Sequence, residues 1–155
     1  MDIDSHRETA LHWKLSEWNR LDTTELYEIL QLRNRVFVVE QNCVYNDTDG
    51  KDRLSHHLCG YTGKKLICYA RLLPPGVSYT EPSIGRVVCD PEFRKKGIGT
   101  KLMLQAIHHT RQLWPQDHIK ISAQSYLLSF YISLGFSVLG TEYLEDGIPH
   151  REMIL

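Results

Sequence analysis

One stretch of the sequence decides the fold: residues 87–100 are VVCDPEFRKKGIGT. Its first residues are apolar and β-branched, and Asp90-Pro91 follows them, which predicts a strand that ends where proline cannot donate to a sheet ladder. After a basic turn, Gly97 begins a segment whose apolar residues recur at helical spacing as far as Trp114, directly before Pro115. The stretch therefore predicts a strand, a glycine-containing turn and a helix in direct succession.

The turn within this stretch is suited to hold an anion. The N–H groups of a first helical turn have no partner in the helix and carry partial positive charge. Gly97 and Gly99 allow a ligand to approach the backbone closely, and the basic residues at 94–96 add charge. A dinucleotide fingerprint would need glycine at Leu102, and the glycine spacing before Lys101 is not that of a P-loop. We interpret the stretch as a phosphate-binding turn, and the alternative is a turn that the glycines merely shape.

Strands and helices are predicted on both sides of this stretch. In chain order they are a strand at 11–15, a helix from the capping box Asp22–Glu25 to about Val38, a hairpin of strands 57–61 and 66–73, a strand at 84–89, a helix at 97–114, a strand at 119–121, a short helix at 126–134, and closing strands at 136–139 and 152–155. The order β-α-β-β-β-α-β-α-β-β predicts an α/β domain with a mixed, mostly antiparallel sheet flanked by helices.

Composition limits the classes of function. A chain of 155 residues with 42% hydrophobic residues is expected to fold as a single domain over residues 1–155. Eighteen basic and 19 acidic residues give a net charge of -1, so we expect neither nucleic-acid nor membrane binding. Apolar runs such as Val36–Val39 are far below the ~20 residues of a membrane span, and residues 1–6 lack the pattern of a signal peptide. We therefore expect a cytoplasmic protein.

Cysteine and histidine spacing does not favour a metal site. The cysteines at 43, 59, 68 and 89 form no C-x-x-C pair and are expected to be reduced thiols, mostly in the core. Sequence neighbours such as His56 and His57 point in different directions in a strand or a helix. We therefore expect no metal.

Two motifs resemble those of the GCN5-related N-acetyltransferase (GNAT) superfamily. The pattern Arg94-x-x-Gly97-x-Gly99 after an apolar strand resembles the family's acetyl-CoA signature. The sequence QSYLLSFYISLGF at 124–136 resembles the later motif, in which a helix presents a tyrosine four residues before Gly-Phe. The resemblance implies the GNAT fold and an acetyl-CoA-dependent N-acetyltransferase, in which an amine of a small molecule, peptide or protein attacks the thioester directly.

The same resemblance implies roles for individual residues. The strand backbone at Val87, Val88 and Cys89 would contact the pantetheine arm, and Tyr131 would face the thioester sulfur as a proton donor. Gln124 stands where the family often has an asparagine that contacts the cofactor, and Leu127 replaces a common alanine. The pyrophosphate would be cradled by seven consecutive residues: Arg94, Lys95, Lys96, Gly97, Ile98, Gly99 and Thr100.

The resemblance is closest to the ElaA-type GNAT proteins and covers nearly the whole chain. Five features carry it: RVFVVEQ at 35–41, Asp49 with Asp52, the histidine pair at 56–57, AQSYL at 123–127 and EDGIPH at 145–150. Its match places Glu40 first among candidate bases, which also include Asp49, Asp52, His56, His57 and His150. Candidate acceptor-site residues are Phe37, Glu40, His56, Arg71 and His150.

We expect the acceptor pocket between residues 37–52 and a loop at 145–150, because these are the irregular connections left once the turn at 94–100 is assigned. Their acidic residues would attract a cationic amine: Glu40, Asp47, Asp49, Asp52, Glu145 and Asp146. Two other functions stay open. One is a non-catalytic acyl-CoA-binding domain, and the other, suggested by a distant likeness around Arg35-Val36-Phe37, is a signal synthase similar to the acyl-homoserine-lactone synthases. The identity of the amine, the use of other acyl groups and assembly as a homodimer also stay open.

Overall fold

The computed structural model describes residues 10–115 and 118–155, so residues 1–6, on which the expectation about export depends, lie outside the described residues. The element order is the predicted β-α-β-β-β-α-β-α-β-β. The elements are β1 (Leu11–Glu17), α1 (Thr23–Arg33), β2 (His56–Thr62), β3 (Lys65–Leu73), β4 (Ser83–Cys89), α2 (Ile98–Leu113), β5 (Lys120–Gln124), α3 (Leu128–Ser133), β6 (Ser137–Glu145) and β7 (Ile148–Ile154).

Antiparallel strand pairs form two sheets, in the orders β1-β2-β3-β4 and β5-β7-β6. The two sheets meet where β4 and β5 begin. At this point the Lys120 N–H donates a hydrogen bond to the Pro82 carbonyl oxygen at 3.0 Å. Further along, no ladder joins β4 to β5 in the part of the chain that the structure describes. The ends of the two strands, at Cys89 and Gln124, are therefore not paired with each other, and we call the region between these ends the opening.

A bulge interrupts β4 before its end. Val88 pairs with Tyr69 and Gly85 pairs with Arg71, so β4 has one more residue than β3 between these pairs. Arg86 lies in the extra segment with a φ of 51°. A bulge bends its strand and increases the local twist, so the last residues of β4 do not continue the line of its beginning.

The core lies between the sheets and α2. Leu102, Met103 and Ala106 are fully buried on one face of this helix, as its apolar spacing predicts. They pack with Ile121 of β5 and Met153 of β7. A second cluster, which includes Ile29 and Tyr69, packs α1 against the other face of the first sheet. Both faces of the β3–β4 region are therefore covered, and the opening is left at the strand ends.

The first helical segment differs from the prediction in its winding. The capping box is confirmed, since the Asp22 carboxylate accepts from the Glu25 N–H at 2.7 Å and the Glu25 carboxylate accepts from the Asp22 N–H at 3.0 Å. After Arg33, however, the chain continues as a π-helix over Asn34–Glu40, which we call the π segment. Such segments are rare and bring residues five apart to nearly the same side.

The predicted loop at 145–150 is wrong. Strands β6 and β7 are longer than their apolar cores suggest, and the turn between them consists of Asp146 and Gly147, with φ values of 50° and 76°. Asp-Gly is a preferred two-residue hairpin turn because both residues tolerate positive φ. His150 accordingly lies in β7 and not in a loop.

Close packing at Gly60 in β2 yields a stability prediction. An ideal Cβ at this position would overlap Cys68 Sγ and would lie 2.8 Å from Trp13 Cζ3. We expect Gly60→Ala to lower the free energy of unfolding by about 1–3 kcal/mol, measured by urea denaturation, because the added methyl overpacks the core. The matched control is Gly85→Ala, whose Cβ would meet only Leu73 Cδ1, at 3.6 Å. Equal stability of the two variants would contradict this account.

Candidate functional site

The opening between β4 and β5 exposes the beginning of α2. Gly97 is the N-cap, with a left-handed φ of 73°, and no side chain caps the helix. The first bond of the helix runs from the Lys101 N–H to the Gly97 carbonyl at 3.2 Å. The N–H groups of Ile98, Gly99 and Thr100 therefore have no acceptor within the helix, which is the arrangement that binds anions.

The fold itself does not require a glycine at position 99. Its φ is not positive, and the one neighbour that an ideal Cβ would meet within 4 Å is Phe130 Cζ, at 3.8 Å. Neither backbone strain nor packing therefore requires glycine at this position. Gly97 does require it, because its φ of 73° is costly for other residues. The absence of a side chain at Gly99 leaves space over the helix end.

Tyr131 lies beside this helix end. It is 7% exposed in α3, and its ring packs edge-on against Phe130 and Phe136. Burial raises the pKa of Tyr131 to about 12, and the proximity of Tyr126 and Cys89 adds to the effect. The hydroxyl therefore keeps its proton at neutral pH and is available as a donor.

Two ion pairs connect the π segment to the loop between β4 and α2. Arg35 Nη2 lies 2.6 Å from Asp90 Oδ1, and Arg94 Nη1 donates to Glu40 Oε1 at 2.7 Å. Arg35 and Glu40 are five residues apart, a spacing that would place them about 140° apart on an α-helix. The π winding therefore lets both reach the same loop. The predicted base Glu40 is thus held by the predicted cofactor residue Arg94.

The segment after Glu40 reaches the second sheet. The side-chain amides of Gln41 and Gln124 donate to each other, at 3.1 and 3.3 Å. Cys43 Sγ donates to the Asp146 carbonyl in the β6–β7 turn at 3.3 Å. The structure therefore brings together the two segments predicted to line the acceptor pocket, although the second is a hairpin end.

His150 belongs to the same region. It lies directly opposite Gln124 in the β5–β7 ladder and is 7% exposed. Its Nδ1 is 2.7 Å from the Ile148 carbonyl oxygen, and its Nε2 is 3.3 Å from Glu145 Oε2. Sequence reasoning identified His150 but assigned no role to Gln41 or to the pairing of Glu145, because only the Asp146-Gly147 turn sets that register.

Three arginines and three aspartates form a network whose centre is buried and whose edge, at Arg86 and Asp49, is partly exposed. Arg33 is fully buried and contacts Asp47 at 2.8 Å and Asp52 at 2.7 Å. Arg71 contacts Asp49 at 2.8 Å and Asp52 at 2.9 Å. The third cation, Arg86, contacts Asp47 and Asp49. The network therefore attaches the loop before β2 to the first sheet.

This network corrects two expectations. Asp47, Asp49 and Asp52 are neutralised by arginines, so they do not form the acidic surface that was expected to attract a cationic amine. Arg71 holds two of these carboxylates and is 3% exposed, so it does not face an acceptor.

The pKa shifts in the network follow from this geometry. Burial alone would raise the pKa of Asp49, but hydrogen bonds and charge from Arg71, with further charge from Arg86, hold it well below its usual range. Burial likewise opposes ionisation of Asp52, yet Arg33 and Arg71 lower its pKa. Both carboxylates are therefore charged at neutral pH.

One of the predicted acceptor-site residues lies away from Tyr131. His56 lies opposite Leu72, with its ring 5.7 Å from that of Trp114, whereas the site follows Cys89, which is opposite Cys68. Four residues of β3 separate these positions, a distance of about 13 Å. Phe37 lies in the π segment, is half-buried and packs against the second core cluster, which includes Val88 of β4. The structure therefore does not bring His56 to the opening, and the role of Phe37 stays a prediction.

His57 has a structural explanation. It is fully buried, its Nε2–H donates to the Asp52 carbonyl at 2.9 Å, and its Nδ1 accepts from the Tyr69 hydroxyl at 2.7 Å. Burial lowers its pKa, so the ring is neutral at pH 7. Both nitrogens are occupied, and His57 is not free to act as a base.

The described residues, 10–115 and 118–155, contain four free cysteines, of which Cys43, Cys59 and Cys68 are buried and Cys89 is half-buried. In that part of the chain, no group of three or more histidine, cysteine, aspartate or glutamate side chains could hold a metal ion. No described helix has the length and apolar character needed to cross a membrane.

Comparisons with known proteins agree with the geometry. The family model of the acetyltransferase (GNAT) domain matches residues 29–155. Protein ElaA of Escherichia coli is 37% identical over 145 residues, which are 92% of this chain and 95% of ElaA. The crystal structure of E. coli ElaA has a TM-score of 0.88 and covers 94% of this chain and 99% of that one.

Two further structures are similar in fold. An acyl-CoA N-acyltransferase from Pseudomonas aeruginosa has a TM-score of 0.88 and 39% identity, and covers 94% of this chain and 99% of that chain. A Bacillus subtilis acetyltransferase in complex with CoA has a TM-score of 0.64 over 94% of this chain and 98% of that chain, and at 22% identity this likeness shows the fold alone.

The network yields a prediction about stability and pH. We expect Asp52→Asn to lower the free energy of unfolding by about 3–5 kcal/mol, because it leaves buried Arg33 and Arg71 without a shared carboxylate. The depressed pKa values of Asp49 and Asp52 stabilise the fold above the unfolded value of about 3.9, and this contribution is lost as pH falls below it. Urea denaturation from pH 3 to 7 measures both effects. A variant as stable as the wild type at pH 7 would contradict the assignment.

Proposed function

The chain belongs to the acetyltransferase (GNAT) family, and from that premise we propose that it is an acetyl-CoA-dependent N-acetyltransferase in which an amine attacks the thioester directly. The observation that carries the proposal is the uncapped beginning of α2, which lies beside Tyr131 at the opening. An anion-binding helix end and a protonated hydroxyl are the two groups needed to hold CoA and to protonate its thiolate.

The opening suits CoA along its whole length. We assign the pyrophosphate to the N–H groups of Ile98, Gly99 and Thr100, with further charge from Arg94, Lys95 and Lys96. The edge of β4 at Val87–Cys89 has no ladder to β5 in the described residues, so its backbone is available to pair with the pantetheine amides. The B. subtilis neighbour, whose title names a CoA complex, and the P. aeruginosa acyl-CoA N-acyltransferase support this assignment.

The chemistry requires a neutral amine and a proton for the leaving thiolate. At pH 7 roughly one in 2,500 molecules of an alkylamine with a pKa of about 10.4 is neutral, a cost of about 4.6 kcal/mol. A backbone N–H of β4 would polarise the thioester carbonyl as the amine nitrogen bonds to carbon. Tyr131 would then protonate the sulfur as the carbon–sulfur bond breaks.

We propose different roles for Glu40 and Gln124 from those first expected. A carboxylate held 2.7 Å from the Arg94 guanidinium is not free to take a proton from an amine, so we assign Glu40 to positioning the turn at 94–100. Gln124, expected to contact the cofactor, pairs instead with Gln41. We therefore place this amide pair at the boundary between the CoA and acceptor sides of the opening.

The acceptor side lies between the π segment and the β6–β7 hairpin. With the three network aspartates neutralised, the carboxylates left near the hairpin end are Glu145 and Asp146, both exposed. They favour a cationic amine over an anionic acceptor. A panel of alkylamines, arylalkylamines and lysine-containing peptides, with thiol detection of released CoA, identifies the class of acceptor.

The first functional prediction concerns CoA binding. We expect Gly99→Asp to weaken acetyl-CoA affinity at least tenfold in calorimetry without lowering the melting temperature, since a carboxylate would face the pyrophosphate while the fold has room for the side chain. Leu104→Asp, at an exposed position of α2, is the control for added charge. Unchanged affinity of the folded Gly99 variant would refute the assignment.

The second functional prediction concerns Tyr131. We expect Tyr131→Phe to lower kcat by about 10²–10⁴-fold with little change in acetyl-CoA affinity, because the hydroxyl acts as the thiolate leaves. Tyr126→Phe is the matched control, since this tyrosine is 71% exposed and lies two residues before the start of α3. Unchanged kcat would remove Tyr131 from the reaction. A wild-type protein that binds acetyl-CoA but acetylates no amine would favour the non-catalytic alternative.

A further inference from the structure

His150 on β7 has one defined tautomer. Its Nδ1 is 2.7 Å from the Ile148 carbonyl oxygen. A carbonyl oxygen can only accept, so Nδ1 carries hydrogen and the lone pair of the neutral ring is on Nε2. The side chain is buried, which limits the orientations available to the ring. The basic nitrogen of His150 therefore has a fixed direction.

That direction is towards a carboxylate. Nε2 lies 3.3 Å from Glu145 Oε2, and the same oxygen accepts from Ser122 Oγ at 3.4 Å. The Ser122 hydroxyl also hydrogen-bonds the Tyr143 hydroxyl, and the Tyr143 ring stacks on His150 with 6.1 Å between centroids. A protonated His150 would donate from one nitrogen to the carbonyl and from the other to Glu145. Both partners therefore stabilise the charged ring.

The ring of His150 lies at the edge of the opening. Residues directly opposite in an antiparallel pair project to the same face, so His150 shares a face with Gln124. Gln124 pairs with Gln41, whose neighbour Glu40 contacts Arg94 at the beginning of the predicted phosphate site. Gln124 also immediately precedes the segment that carries Tyr131. His150 thus borders the side of the opening from which an amine would enter.

Other candidate bases in the described residues are engaged elsewhere. Glu40 is paired with Arg94, and Asp49 and Asp52 are paired with buried arginines. Both nitrogens of His57 are hydrogen-bonded inside the core, and His56 is at the far end of β2. His150 alone among these candidates combines a directed lone pair, a counter-charge and a position at the opening.

We infer that His150 is the general base of the reaction and that Glu145 is its positioning residue, an inference that rests on the proposed function. The entering ammonium gives one proton to Nε2 and becomes the neutral amine. Its nitrogen bonds to the thioester carbon, the carbon–sulfur bond breaks, and Tyr131 protonates the thiolate. The second amine proton returns to Tyr131 through water, and His150 releases its proton to solvent. The products are the amide, CoA and one proton.

Most groups that face His150 are uncharged. Gln124 on β5 and Gln41 after the π segment are neutral amides, and burial raises the pKa of Tyr143, which stays neutral. Glu145 therefore supplies the carboxylate in contact with the ring, and the turn residue Asp146 carries a further carboxylate.

The experiment compares His150→Gln, Glu145→Gln and the wild type, with His108→Gln on the exposed surface of α2 as the control. The probes are acetyl-CoA with 2-phenylethylamine and with a lysine-containing peptide, used across pH 5 to 9. We expect His150→Gln to lower kcat/KM by about 10²–10⁴-fold at each pH, with acetyl-CoA affinity unchanged. Glu145→Gln should lower kcat by a smaller factor and leave the KM for acetyl-CoA unchanged.

Imidazole ¹⁵N NMR of the wild type tests the same inference without turnover. We expect an Nδ1–H tautomer for His150, because the Ile148 carbonyl oxygen accepts from Nδ1. An Nε2–H tautomer, or an unchanged kcat/KM in His150→Gln, would overturn the assignment of the base. Absence of acetyl-CoA binding by the wild type would overturn the proposed function instead, and the inference with it, while the NMR result would still describe the His150–Glu145 pair.

Discussion

The buried contacts of Arg33 with Asp47 and Asp52 are the constraint on which the rest of the structure depends. A guanidinium with no exposed surface must be matched by carboxylates, since an unpaired buried charge is strongly destabilising. Asp52 is shared with Arg71 of β3, so one carboxylate joins the end of α1 to the first sheet. Ion pairs of this kind add little net stability relative to an apolar core, but they admit few alternative arrangements. The path of the loop between the π segment and β2 is therefore defined by charge pairing.

The π segment connects the buried Arg33 to the opening. Its start is fixed by Arg33, and its winding directs Arg35 and Glu40 to Asp90 and Arg94. The next residue, Gln41, reaches the end of β5. One short helical segment thus contacts the loop after β4 and the end of β5, the two sides of the opening. The separation between the proposed CoA and acceptor sides is set here and not by the sheets alone. In the described part of the chain no ladder joins the two sheets, and a backbone hydrogen bond connects them at the start of β4 and β5.

The opening also separates two kinds of proton chemistry. Tyr131 is surrounded by aromatic rings, and burial keeps its hydroxyl protonated. His150 lies among polar groups on the other side of Gln124, with a carbonyl on one ring nitrogen and a carboxylate near the other. An apolar environment favours the neutral acid, whereas a counter-charge favours a base that can accept a proton. Two different environments at one opening can therefore supply a proton donor and a proton acceptor.

The sequence by itself determined the element order, the capping box at Asp22 and the glycine turn before α2. These features depend on local rules of periodicity, capping and turn chemistry that act within a few residues. The family was indicated separately, by the resemblance of two motifs. Only the tertiary structure decided which charged residues meet. It paired Asp49 with Arg71, held Glu40 against Arg94, and directed His150 to Glu145 through the register of a hairpin. Such contacts join residues distant in sequence or set by strand register, and charge complementarity in a sequence does not specify which partner a side chain reaches.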